Sequence, residues 1–131
     1  MTTTYEILAP MRAVMAHLER HDLAAPVGIN IATYGRSVTI HLQATGLGDV
    51  CAALLCWARS LADVTVEAWR PPTGDSVHLN VAGRLPTGLL VHVYAGVPFD
   101  AATFPDLPTG ARHDLSVTVL HVWASSGEVA A

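Results

Sequence analysis

Residues Val64 to Gly83 read VTVEAWRPPTGDSVHLNVAG, and the fold follows from how this stretch is read. Val64, Val66 and Ala68 alternate with Thr65, Glu67 and Trp69, and Val77, Leu79 and Val81 alternate with His78, Asn80 and Ala82. A period of two is the signature of a strand with one apolar face and one polar face. The prolines and glycine from Pro71 to Gly74 supply a turn, so the stretch is expected to be an antiparallel hairpin. The expected register sets Ala68 against Val77, Val66 against Leu79 and Glu67 against His78. The side opposite the valines then carries a tryptophan, a glutamate and a histidine together. That cluster is either an ordinary polar outer face or a recognition surface.

Two more hairpins flank this one. In VGINIATYGRSVTIHLQA, starting at Val27, apolar and polar residues again alternate, and Gly35-Arg36 suits a two-residue loop that pairs Ile31 with Ile40 and Asn30 with His41. Beyond Gly83, a three-residue loop Pro86-Thr87-Gly88 with a left-handed Gly88 pairs Val81 with Val93 and Asn80 with Tyr94. A first helix is expected from Pro10, a residue favoured at the first helical position, with Met11, Val14, Met15 and Leu18 on one stripe. A second spans about Gly48 to Ala62 and turns Val50, Cys51, Leu54, Leu55, Ala58 and Leu61 inward. Asp49 and Arg59 sit at the ends that the helix dipole favours for their signs. A long proline-containing connection, from Val97 to Asp114, leads to a last expected strand, LSVTVLHVW.

The order helix-strand-strand, repeated, and the echo between SVTIHLQATG and SVHLNVAG predict an α+β fold. Two αββ units form one mainly antiparallel sheet with two helices packed on one face, extended by two C-terminal strands. A single domain covers 1–131, with 1–9 and 124–131 expected to fray. The outer face would present Tyr34, Thr39, His41, Gln43, Thr65, Glu67, Trp69, His78, Asn80, His92 and Tyr94.

Composition narrows the function. The 131 residues are 51% hydrophobic and 14% charged, with a net charge of -4, which marks a globule and weakens a nucleic-acid role. All seven basic residues are arginine, scattered along the chain, and are read as a trace of GC-rich, bacterial coding. No apolar run approaches the ~20 residues of a membrane span. Cys51 and Cys56 lie five apart in a helix and point ~140° away from each other, so they neither pair nor share a metal. Cys51 is expected in the core and Cys56 near the surface, as in a reduced, cytoplasmic protein.

Gly46-Leu47-Gly48-Asp49-Val50-Cys51, followed by Glu67, resembles the dinucleotide-binding fingerprint over about thirty residues. The third small residue is Cys51, however, and Asp49 stands where phosphate would dock. A nucleotide-binding protein or enzyme built on Gly46 to Cys51 is therefore the alternative reading. The seven histidines lack a converging set of three or four ligands in the expected registers. They are read as solvent-facing, with Glu67 favouring the charged form of His78. Arg112-His113-Asp114 has no nucleophile beside it and reads as a turn.

The reading that remains is a non-catalytic binding protein using the aromatic and histidine-bearing sheet face, with no cofactor and no metal. Its candidate residues are Tyr34, His41, Glu67, Trp69, His78, Asn80, His92 and Tyr94. Exposed aromatics usually have something to cover them. Three coverings are possible: the 97–114 connection, anchored by Phe99, Phe104 and Leu107; a second copy of the chain; or a different partner, either a ligand or a foreign protein. Self-association into a dimer, by this face or by a strand edge, is expected; nucleic acid and membrane are not.

Overall fold

A computed structural model describes residues 4–32 and 36–129. The hairpin at the centre of the sequence forms as β3 (Ala62–Trp69) and β4 (Ser76–Arg84), and β5 (Leu90–Pro98) continues the meander. Around it lie α1 (Thr4–His21), β1 (Pro26–Ile31), β2 (Ser37–Leu42), α2 (Leu47–Ser60), β6 (Arg112–Leu115) and α3 (Val117–Val129). One six-stranded sheet runs in the order β1-β2-β5-β4-β3-β6. Its neighbouring strands are antiparallel except β2 and β5, which are parallel. The protein is α+β, as the alternation predicts, and no described helix is long and apolar enough to cross a membrane.

Alternation sorts the sheet into two faces. Val38, Ile40 and Leu42, Val66 and Ala68, Val77, Leu79 and Val81, and Val91, Val93, Ala95 and Val97 are all buried on one side. Against them α2 packs Val50, Cys51, Leu54, Leu55, Trp57 and Ala58. The expected α2 stripe holds from Val50 to Ala58, with Trp57 also turned inward; the helix ends at Ser60, so Leu61, expected on the stripe, is its extended C-cap and only partly buried against the core. Cys51 is buried and Cys56 exposed, both as free thiols. Burial holds the Cys51 thiol up at about 12.

Registers test the hairpins. Between β4 and β5, Val81 faces Val93 and Asn80 faces Tyr94, with Gly88 at φ +91, all as expected. The other two hairpins are displaced by two residues. In β3–β4, Trp69 faces His78 and Glu67 faces Asn80. Arg70 exchanges its backbone bonds with Gly110 and Ala111 instead of closing the turn, which lengthens the loop. In β1–β2, Ile29 faces Ile40 and Ile31 faces Val38, and Ala32 N–H donates to the Ser37 carbonyl. A shift of two keeps every side chain on its face, so the sorting survives.

The ends of the chain depart further. α1 begins at Thr4, not Pro10, and α3 reaches Val129, so much of both termini expected to fray is helical. Inside α1, Pro10 cannot donate to the Glu6 carbonyl and its ring crowds that carbonyl, but its neighbours Leu8, Ala9, Met11 and Arg12 are strong helix formers. The expected final strand is instead the short β6 followed by α3. Its β-branched residues suggest a period of two, but Leu120, Trp123 and Ala124 form an i, i+3, i+4 stripe packed against the core, and Val119 lines a cavity beside Trp123. β6 already occupies the edge of β3, so the segment after it gains more by covering the core than by extending the sheet. Three helices therefore cover the apolar face, where two were expected.

Candidate functional site

The opposite face is built one residue per strand. His41 on β2 faces Tyr94 on β5, Trp69 on β3 faces His78 on β4, and Arg112 on β6 faces Trp69. His78 lies diagonally beside Tyr94, which itself faces Asn80. Their rings form a continuous line across the sheet. His41 stacks on Tyr94 with centroids 4.7 Å apart, and Tyr94 and His78 lie 5.7 Å apart. His78 meets Trp69 edge-on at 5.2 Å, and the Arg112 guanidinium sits 4.8 Å above the indole. Contacts of this kind hold rings in place through their quadrupoles. Beside the line, Thr39, Ala82 and Thr65 follow His92 across neighbouring strands. Large rings next to small side chains leave an open depression of about 600 Å³, lined by Trp69, Tyr94, His92, Asn80, Glu67 and Arg112 among others.

Of the eight expected site residues, Glu67, Trp69, His78, Asn80, His92 and Tyr94 line this depression. His41 is stacked behind Tyr94 and does not line it. Tyr34 lies outside the described residues. Trp69 is half-buried on the open side of the sheet, not beneath a helix. Arg112 is a site residue that the sequence does not point to, because the run Arg112-His113-Asp114 has no apolar alternation to mark it as a strand. Nothing short of the pairing of β6 with β3 would have placed it.

Electrostatics here differ from expectation. Glu67 does not face His78; its Oε1 accepts a 2.7 Å hydrogen bond from Arg112 Nη1. Partial burial lowers the His78 pKa, and the nearby His41 lowers it further. The neutral ring is thus the favoured form of His78, opposite to the expectation that Glu67 would charge it. Among the described residues, no group of three or more His, Cys, Asp and Glu gathers as a metal site.

The long connection leaves this face open. Phe104 and Leu107 are buried on the helical side, where they line a small cavity with Ala68, Leu115 and Trp123. Arg70 holds the connection there: its guanidinium covers the Phe99 ring at 3.4 Å and donates to the Leu107 and Gly74 carbonyls.

The two halves of the nucleotide-like pattern do not meet. Gly46 takes φ +85 and opens α2 on the helical side, whereas Glu67 points from the other face of a strand three positions from β2. No family model, curated protein or solved structure matches this chain.

Proposed function

We propose that the protein is a non-catalytic binding protein whose open sheet face captures a small ligand carrying a flat ring. One observation carries the reading: a line of rings, one per strand, borders a depression that the chain's own long connection leaves uncovered. Its volume of about 600 Å³ falls in the range of small-molecule sites, roughly 300–1,000 Å³. Trp69 offers a planar group the indole surface that Arg112 leaves uncovered, whereas Tyr94, stacked between His41 and His78, offers its ring edge. Asn80 and His92 offer hydrogen bonds to its edge, and the Glu67–Arg112 pair offers both signs of charge at one end. The two unpaired cysteines support a reducing, cytoplasmic setting.

Titration of isotope-labelled protein with indole, adenine and benzoate, each followed by amide chemical shifts, tests this. At least one probe should shift amides in 65–69, 78–82 and 92–94, and Trp69→Ala with Tyr94→Ala should abolish the response. Silence from all three probes, or shifts that survive the double variant, would remove the ligand reading. Conversion of a dimer to a monomer by Trp69→Ala would show instead that a second copy covers this face.

A further inference from the structure

The two edges of the sheet are finished differently. β6 is four residues long and carries Arg112, His113 and Asp114, features that discourage another strand from pairing. β1, at the other edge, reads PVGINI and has no charge and no proline after its first residue. Its outward backbone N–H and C=O groups have no strand partner among the described residues.

The helical layer is also incomplete above β1. Ile29 is 38% exposed, although Ile40, directly opposite it, is 0% exposed; Val27, 52% exposed, is the unpaired residue where the β1 register shifts between Pro26 and Gly28, so the regular run of the edge is Gly28 to Ile31. α1 leaves the same region bare. Its inward residues are Pro10, Val14 and His17, the last hydrogen-bonded to Ser60 and packed on Trp57 of α2. Met11 and Met15, expected inside, are 36% and 53% exposed. On a helical wheel they lie roughly 120–160° around from His17. α2 packs on the inner strands β4 and β5 whereas α1 touches β1, so this flank overlooks the β1 edge. Ile7 and Leu8 extend it. Of eight large apolar side chains exposed among the described residues, six belong to this strip of α1 and β1. Scattered exposed apolar residues are normal, but a concentration beside an open strand edge marks an interface.

We infer that two copies of the chain join through their β1 edges, antiparallel, into one continuous sheet, with the exposed flanks of their α1 helices packed together above the junction. A two-fold axis perpendicular to the sheet accounts for every feature. It sets β1 against its own copy in the antiparallel sense and keeps both helical layers on one side, so the methionine flank meets itself. No charge lies between residues 26 and 31 to oppose this apposition. Arg12 and Glu19, both exposed, border the flank seven residues apart with opposite signs. Antiparallel copies of α1 set each near the other's counterpart. The ligand depression lies on the far face and stays open in such a dimer, so the two proposals stand or fall separately.

Sedimentation of the full chain at 1–200 µM (a range of about two decades around ordinary affinities) tests the inference. The wild type should sediment at twice the 13.8 kDa chain mass. Val27→Lys and Met15→Glu, at the two most exposed positions of the strip, should each yield monomer with an unchanged far-UV circular dichroism spectrum. Should the strand variant fail to fold, the helix variant decides. A wild type that stays monomeric throughout would overturn the inference. So would a dimer that both variants leave intact, or one dissolved by Trp69→Ala instead.

Discussion

Trp69 and Trp57 offer a comparison in which the two faces of one sheet predict different costs for the same substitution. Trp57 is 1% exposed, within the helical layer. Truncation there removes a large buried ring and leaves a void, so Trp57→Ala should cost about 3–5 kcal/mol. Trp69 is half-buried on a face open to water, so its removal leaves a dent that water fills and no sealed cavity. What Trp69→Ala loses is its edge-on contact with His78, about 0.5–1.5 kcal/mol. It also loses the exposed cation–π contact with Arg112, about 0.5–1 kcal/mol. These two contacts together contribute no more than about 1–2.5 kcal/mol, since coupled contacts share part of their energy; the half-buried ring also loses part of its transfer free energy, and a cost below that of Trp57→Ala is expected. Urea unfolding followed by far-UV circular dichroism, with equal slopes for all variants, measures both. Equal costs for the two tryptophans would refute the reasoning, because Trp69 would then belong to a closed core and could not serve a ligand. The Trp57 indole N–H is buried with no acceptor among the described residues, so truncation there also removes an unsatisfied donor, which recovers part of the loss and places Trp57→Ala toward the lower end of its range.

Acid should weaken the fold in part through His17, whose pKa is lowered by burial and then by His21 and Arg20. Ser60 donates its only hydroxyl proton to the Trp57 carbonyl, so it must accept from His17 Nε2–H; both forms of the ring can make that bond, and it is burial with the neighbouring His21 and Arg20 that disfavours the charged one. The unfolded chain then binds protons more readily, and stability that is complete above about 6.5 declines as pH falls below it. Melting temperatures between pH 7.5 and 5.5 should show this, with a shallower decline in His17→Gln; a slope unchanged by that variant would count against it. Gly83→Ala should cost about 1–3 kcal/mol by urea unfolding, since a Cβ there would come within 2.7 Å of Leu61 Cβ and 3.0 Å of the Ala62 carbonyl. In the native protein at pH 8, Cys56 should react with a disulfide reagent while Cys51, buried and raised to about 12, stays protected until denaturant is added.

The alternation of small and branched apolar residues with polar ones determined the sheet, its two faces and the shared side of Glu67, Trp69, His78, Asn80, His92 and Tyr94. That information is local: each side chain's face depends only on its parity within a strand, and even a two-residue slip preserves it. What local sequence could not supply was the order of the strands. β5 enters between β2 and β4, and only that insertion brings His41 onto Tyr94 and completes the line of rings. Residues 117–129 show the same limit from another side. Their β-branched content favours a strand, yet packing against α2 and Phe104 makes them a helix, because burying Leu120 and Trp123 outweighs a weak propensity. Arg112 joined the face, and Met11 and Met15 left the core, for one reason. Whether a side chain is covered depends on which distant segment arrives beside it, and chain neighbours do not encode that arrival.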